Sequence, residues 1–176
     1  KKNIMETKHN LRKALLVADG GSTKTDWCLA VPHREPQLFR TRGLNPALLE
    51  PPAIREILQT ELLPRLTPHL QDPEAEIHIY YYGAGCLTSV CTKMEQALTG
   101  LLPRSTAEVH SDLLGAARAL CGHEAGIACI LGTGSNSCRY DGRDIVQHVS
   151  PLGYILGDEG SGTALGKRLI GDWLKG

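Results

Sequence analysis

The order of apolar segments along the chain is the feature that most constrains its fold. Three short runs with strand character come first, at residues 15–18, 26–31 and 38–41. Tight turns separate them, which predicts an antiparallel meander. Segments of helical and strand period then alternate along the rest of the sequence. This alternation predicts an α/β layer structure in which helices pack against a sheet.

The later segments carry the periods expected of helices and strands. A helix is predicted after Pro51-Pro52, because proline suits the first helical turn, and Pro64 is expected to end or kink it. Asp141-Gly142 is a strong hairpin signal. The remaining predictions are strands at 77–82, 107–110 and 126–131 and helices around 90–101, 113–120 and 165–173.

Two of the predicted strands end in short glycine-rich turns. Asp19 and a first loop follow the strand at 15–18, and this loop consists of Gly20, Gly21, Ser22, Thr23 and Lys24. The second loop follows the strand at 126–131 and consists of Gly132, Thr133, Gly134, Ser135 and Asn136. Successive N–H groups that no Cβ shields form concave sites for phosphate. A plain hairpin turn is the alternative for each loop, but two such loops predict a nucleotide held from both sides.

Four polar residues beside these elements are candidate site residues. Asp19 could hold Mg²⁺ through water, since that ion takes one or two carboxylates. Asp112 could accept a hydroxyl proton in phosphoryl transfer or simply begin a helix, and its spacing alone favours the helix role. Asn45, before Pro46, could bind a sugar hydroxyl or form a turn. Asp158, inside a glycine turn, could bind a ligand hydroxyl or cap the next helix.

Composition narrows the classes of function. The chain is 41% hydrophobic and 22% charged with zero formal net charge, which is ordinary for a globular protein and unlike a basic nucleic-acid binder. No run approaches the ~18 apolar residues of a membrane span, and the first residues lack the apolar centre of a secretory signal. A cytoplasmic location without membrane or nucleic-acid partners is therefore expected. The six cysteines contain no Cys-x-x-Cys pair, which predicts free thiols.

Taken together, the motifs resemble those of N-acetylglucosamine kinases, within the BadF/BadG-type ATPases of the actin-like ATPase superfamily. The segments that carry the resemblance are, in chain order, 19–26, 43–46, 111–112, 132–136 and 156–162. The resemblance covers residues 13–175. It implies a ribonuclease-H-like lobe, with a mixed sheet flanked by helices and ATP bound in a cleft between two such lobes.

The resemblance also implies a domain organisation. Residues 1–12 would be a polar tail, and residues 13–150 would form the N-terminal ribonuclease-H-like lobe. Residues 151–176 would begin a second lobe with a glycine-rich loop and a helix. The rest of that lobe, with the adenosine-binding Gly-Gly motif of the family, would follow residue 176.

A role for each candidate residue follows from the resemblance. Asp19 would lie near Mg²⁺, and the two glycine-rich loops would bind the phosphates of ATP. Asp112 would be the general base toward a sugar 6-hydroxyl, while Asn45 and Asp158 would bind sugar hydroxyls. The expected enzyme is a phosphotransferase that acts on N-acetylglucosamine or glucosamine with ATP and Mg²⁺. Its expected partner is this small-molecule sugar, and a homodimer is compatible with the sequence.

Two other functions stay open on the sequence alone. Cys129 stands three residues before Gly132, a spacing similar to that in ATPases that activate 2-hydroxyacyl-CoA dehydratases, where a cysteine binds an iron–sulfur cluster. The second cluster cysteine has no counterpart here, so a buried strand position is the favoured interpretation of Cys129. A sensor of sugar or nucleotide without catalytic activity would preserve the same loops.

Overall fold

The computed structural model describes residues 13–70, 75–86, 88–102 and 104–176. The chain divides into two compact units, of which the first ends at Asp112 and the second spans Leu113–Gly176. Each unit has its own sheet and its own hydrophobic core. This division does not coincide with the predicted boundary after residue 150, and the predicted tail at residues 1–12 lies outside the described residues.

Five strands form the sheet of the first unit, in the order β3-β2-β1-β4-β5. The predicted antiparallel meander is confirmed by β1 (Lys13–Gly20), β2 (Lys24–Ala30) and β3 (Gln37–Arg42). The parallel part of the sheet consists of β1, β4 (Glu76–Gly83) and β5 (Ser105–Ser111). The mixed sheet predicted from the sequence is therefore present.

Helices cover one face of this sheet. They are α1 (Pro51–Ile57), α2 (Leu63–Leu66) and α3 (Thr88–Leu101), with a π-helical turn (Leu58–Leu62) between the first two and a 3₁₀ turn (Thr67–His69) after α2. Fully buried helix side chains pack with sheet side chains in one core, which includes Ile54, Leu58, Leu62, Met94, Leu98, Leu16, Trp27, Leu29, Ile79 and Tyr81. Full burial of one such apolar side chain contributes roughly 1.5–3 kcal/mol.

The first helical segment continues past Pro64, where the sequence predicts an end or a kink. Proline lacks an N–H group, and its ring crowds the carbonyl four residues earlier, which belongs to Thr60. Thr60 lies inside the π-helical turn, where the helix is locally wider. The chain thus accommodates Pro64 by a local change of helix type rather than by ending the helix.

The second unit contains a three-stranded antiparallel sheet. It begins within the helix α4 (Asp112–Cys121), at Leu113. Its strands are β6 (Gly126–Leu131), β7 (Ser135–Tyr140) and β8 (Ile145–Val149), in that order. The hairpin predicted at Asp141-Gly142 is confirmed, and Gly142 has a φ of 97°. The core of this unit consists of Leu113, Leu114, Ala117, Ala128, Cys138 and Tyr140.

Two helices follow this sheet, α5 (Gly153–Leu156) and α6 (Gly162–Lys175). The apolar side chains of α6 are 60–79% exposed, and they are Leu165, Leu169, Ile170, Trp173 and Leu174. They recur at helical spacing, so they form one apolar stripe along the helix. None of the helices in the described ranges has the length and apolar content that a membrane span requires.

Replacing Gly166 by alanine is expected to stabilise α6. The position lies inside the helix and no atom lies within 4 Å of where the new Cβ would stand. Alanine removes the backbone entropy cost of glycine, so the free energy of unfolding should rise by about 0.5–1 kcal/mol. Urea unfolding measures this change. Gly122→Ala is the control, because Gly122 has a φ of 59° and should lose stability.

Candidate functional site

Residues 20–24, the first of the two loops predicted to bind phosphate and called the first phosphate loop below, form a tight turn between β1 and β2. The Gly21 N–H donates to the Lys24 carbonyl at 2.9 Å and closes the turn. Ser22 and Thr23 are exposed, and their N–H groups donate no hydrogen bond among the residues that the structure describes. Two adjacent open N–H groups at an exposed turn make a site that can accept an anionic oxygen.

Gly20 precedes this turn in a closely packed position. A Cβ at Gly20 would overlap the hydroxyl of Tyr81. The Gly20 carbonyl accepts a hydrogen bond from the Ala84 N–H at 2.8 Å, so the backbone is fixed from the side of β4 as well. Glycine at this position allows the first phosphate loop to lie directly against the core.

Lys24 is paired with a carboxylate. Its Nζ lies 2.7 Å from Asp26 Oδ2, and Arg40 Nε lies 2.6 Å from Asp26 Oδ1. The hydrogen bond from Arg40, and then that from Lys24, lowers the pKa of Asp26. Because the Lys24 and Asp26 side chains are 55% and 36% exposed, water screens the pair. Lys24 can therefore exchange Asp26 for a phosphate at small energetic cost.

Asn45 lies in a loop that is bonded to the first phosphate loop. Its Nδ2 donates to Ser22 Oγ at 2.9 Å, and its Oδ1 accepts from the Ala47 N–H at 2.9 Å. The Gly43 N–H donates to the Thr23 carbonyl at 3.1 Å. With 8% of its surface exposed, Asn45 forms the turn that the sequence allowed. Its predicted contact with a sugar stays a prediction.

The parallel strands bring Asp19 and Asp112 to one edge of the first sheet. Gly20 is paired with Gly83, and Gly83 is paired with Ser111, so the carboxyl ends of β1, β4 and β5 are level. Asp19 directly precedes this row and is exposed, whereas Asp112 directly follows it and is half-buried. The carboxyl ends of parallel strands are the usual ligand-binding edge of α/β sheets.

Both carboxylates also affect the Tyr81 hydroxyl, which lies beneath this edge. Burial is the largest cause that raises the pKa of Tyr81, and the charges of Cys86, Asp19 and Asp112 add to it. Tyr81 therefore stays protonated and acts as a hydrogen-bond donor. Tyr81 belongs to the core, and negative charge on Asp19 or Asp112 makes loss of its hydroxyl proton less favourable.

The described residues contain no cluster of three or more His, Cys, Asp or Glu side chains that could hold a metal ion. Mg²⁺ does not require one, because it usually keeps several waters and takes one or two carboxylates. Asp19, exposed beside the open N–H groups of the first loop, fits this mode of binding.

Cys129 is exposed on β6, so the prediction that it is buried is wrong for this chain.

The second phosphate loop, residues 132–136, joins β6 to β7. The Gly132 N–H donates to the Gly134 carbonyl at 2.9 Å. Within the described part of the chain, the N–H groups of Thr133 and Gly134 donate no hydrogen bond, and Thr133 is exposed. This loop therefore repeats the feature of the first one, a pair of adjacent N–H groups open to an anion.

Asp158 is buried against the second phosphate loop. Its Oδ1 accepts from the Ser135 N–H at 3.2 Å, and a Cβ at Gly134 would lie 3.2 Å from both carboxylate oxygens. The cap of α6 is Ser161, whose Oγ accepts from the Ala164 N–H at 3.1 Å. The capping interpretation of Asp158 is therefore wrong, and its predicted contact with a sugar remains untested.

The beginning of α6 is bonded to the same loop. The Gly162 N–H donates to the Gly132 carbonyl at 2.9 Å, and Thr163 Oγ1 donates to the Thr133 carbonyl at 2.6 Å. The Gly132 and Thr133 carbonyls are thus engaged, whereas the Thr133 and Gly134 N–H groups donate no hydrogen bond within the described part of the chain. The second phosphate loop and the segment 157–163 thus form one bonded structure.

Sequence reasoning missed Tyr81 and Thr25, which are both fully buried near the first loop. Strand alternation was the available signal, because it assigns both residues to the buried face of the first sheet. That signal marks core residues in general and says nothing of hydroxyl partners. The contacts of these two hydroxyls depend on a loop that is distant in sequence.

Comparison with known proteins gives matches among solved structures, while no family model and no curated protein matches the chain. A proposed N-acetylglucosamine kinase from Porphyromonas gingivalis is 50% identical over 92% of this chain and 56% of that protein, with a TM-score of 0.85. A second proposed N-acetylglucosamine kinase, from Chromobacterium violaceum, is 21% identical over 90% of this chain and 55% of that protein, with a TM-score of 0.66.

A third similar structure is MreB5 of Spiroplasma citri bound to ADP. It is 9% identical over 78% of this chain and 51% of that protein, with a TM-score of 0.57. At this identity the similarity concerns the fold alone. The chain spans little more than half the length of each of the three proteins.

Proposed function

From the premise that this chain has an actin-like ATPase fold and is similar to N-acetylglucosamine kinases, we propose that it is the phosphate-binding part of an ATP-dependent amino-sugar kinase. The observation that carries the proposal is the pair of exposed loops, each with two open N–H groups. Asp112 lies level with the first of them at the sheet edge. Both parts of the premise agree with the resemblance found in the sequence.

Phosphates of ATP are the anions proposed for the two loops. The N–H groups of Ser22 and Thr23 would receive phosphate oxygens at the first loop, and those of Thr133 and Gly134 at the second. Lys24 would add a positive charge after leaving Asp26. Mg²⁺, bound by the Asp19 carboxylate through water, would neutralise negative charge on the phosphates.

Asp112 is the proposed general base. Its carboxylate accepts the proton of the sugar 6-hydroxyl as that oxygen forms its bond to the terminal phosphorus, and the bond from phosphorus to the bridging oxygen breaks to release ADP. Most of the catalysis would come from positioning and from charge stabilisation, because phosphoryl transfer needs little covalent help from a protein.

The acceptor is proposed to be N-acetylglucosamine or glucosamine. Asn45 and Asp158 are the proposed contacts to its hydroxyl groups. The Asp158 carboxylate would offer the sugar its second oxygen, because Oδ1 accepts from the Ser135 N–H. Asn45 would offer the second N–H of its Nδ2, because the first donates to Ser22 Oγ and Oδ1 accepts from the Ala47 N–H. The similarity of this chain to the proposed N-acetylglucosamine kinase of P. gingivalis, at 50% sequence identity, supports this choice of acceptor.

An assay of the full-length protein tests the proposal. ADP release should be measured with ATP and Mg²⁺ in the presence of N-acetylglucosamine, glucosamine or glucose, with a sugar-free reaction as the control. An amino sugar should accelerate ADP release, and phosphorus NMR of the product should find the phosphate on the 6-oxygen. Equal ADP release with and without every sugar would overturn the proposal and would favour the regulatory ATPase or the sensor.

A further inference from the structure

Leu44 has both of its backbone polar groups bonded to side chains of the first sheet. Its carbonyl accepts from the Tyr81 hydroxyl, and its N–H donates to Thr25 Oγ1 at 3.1 Å. The three residues are fully buried. The Tyr81 and Thr25 hydroxyls therefore hold the Leu44 backbone by both of its polar groups.

The same tyrosine touches the first phosphate loop. Its ring and hydroxyl occupy the space that a Cβ at Gly20 would need, and its ring limits Gly83 in the same way. Trp27 packs beside it with ring centroids 6.1 Å apart, which restricts movement of the phenol. Tyr81 therefore contacts both loops, since its hydroxyl lies against Gly20 and donates to the Leu44 carbonyl.

We propose that Tyr81 is a positioning residue, which sets where the loop of residues 43–47 stands relative to the first phosphate loop. The inference rests on the proposed function, because it assigns to the Asn45 loop the task of holding the sugar acceptor. Tyr81 acts through the Leu44 carbonyl. Without the hydroxyl, that buried carbonyl loses its donor, which a closed loop cannot replace with water. The loop then opens more often, and the sugar meets a less ordered site.

The test compares Tyr81→Phe with Tyr140→Phe in the full-length protein. Tyr140 is a matched control, since it is also a buried phenol that donates to a backbone carbonyl, that of Gly122 at 3.2 Å. In Tyr81→Phe the sugar Kd by calorimetry and the sugar KM should rise roughly tenfold, while kcat and the ATP KM stay within about twofold. Tyr140→Phe should leave all four quantities unchanged.

Hydrogen exchange gives a readout that does not depend on catalysis. The N–H groups of Leu48 and Leu49 donate to the Asn45 carbonyl at 3.0 Å, so their exchange reports opening of the loop. Tyr81→Phe should accelerate it roughly tenfold, and Tyr140→Phe should not. If the wild-type protein phosphorylates no sugar, the proposed function fails, and exchange alone still decides the positioning role.

A second pair of variants covers the case in which Tyr81→Phe does not fold. Thr25→Val removes the acceptor for the Leu44 N–H and should reproduce both the accelerated exchange and the weaker sugar binding. Thr25→Ser keeps the hydroxyl, so its hydrogen exchange and its sugar affinity should equal those of the wild type. Exchange and sugar affinity that are equal in wild type, Tyr81→Phe and Thr25→Val would overturn the proposal, as would an equal loss in Tyr140→Phe.

Discussion

Asp112→Asn is expected to lower sugar-dependent ATP turnover by about 10²–10⁴-fold, the usual contribution of a general base. Asparagine has nearly the same shape as aspartate, so α4 should still begin at this position. The KM values for sugar and ATP should change only a few-fold, because the variant loses proton acceptance rather than contacts shared by ground and transition states. Steady-state kinetics of the full-length protein with N-acetylglucosamine measures the effect.

Asp144→Asn provides the matched control for this experiment. Asp144 is an exposed aspartate in the turn between β7 and β8 and belongs to none of the candidate site loops. It should retain full turnover. A kcat of Asp112→Asn equal to that of wild type would remove Asp112 from the mechanism and leave it as an acidic residue at the start of a helix.

Gly20→Ala is expected to lower the stability of the first unit. The new methyl group would overlap the Tyr81 hydroxyl, and neither the strand nor the buried phenol has free space to move. Overpacking of this kind lowers the free energy of unfolding by about 1–3 kcal/mol. The displaced backbone belongs to the first phosphate loop, so nucleotide affinity should fall in the same variant.

Urea unfolding and nucleotide titration of Gly20→Ala measure the two effects. Gly100→Ala is the control, since Gly100 lies in α3 and no atom stands within 4 Å of its added Cβ. The control should keep the wild-type nucleotide affinity and should not lose stability. If Gly20→Ala unfolded at the wild-type urea concentration, the close packing between Gly20 and Tyr81 would not exist in solution.

Local patterns were sufficient to predict most of the fold. The meander, the parallel strand at 77–82 and the helix that ends before Gly122 follow from side-chain period and from glycine and proline positions. The π-helical turn before Pro64 did not, because the choice between ending a helix and widening it depends on how Leu58 and Leu62 are buried. The compact division at residue 112 also depends on tertiary packing, since the apolar side of α4 packs with β6 and β7.

The candidate site was predictable in its loops but not in its internal bonds. Glycine and hydroxyl residues after two predicted strands indicated turns at residues 20–24 and 132–136, and the structure has a turn with open N–H groups at each place. Their binding of phosphate stays a prediction. By contrast, Ser22 is bonded to Asn45 and Ser135 to Asp158, and 23 residues separate the partners in each pair. No local rule connects them. The ion pair between Lys24 and Asp26 was not predicted either.

The chain contains two tryptophans, and they stand in opposite environments. Trp27 is 1% exposed in the core of the first unit, whereas Trp173 on α6 of the second unit is 79% exposed. An indole emits at shorter wavelength in an apolar core than in water, so the two fluorophores are spectrally distinct. Trp27→Phe and Trp173→Phe would each leave one optical reporter, with which melting of the two units can be followed separately.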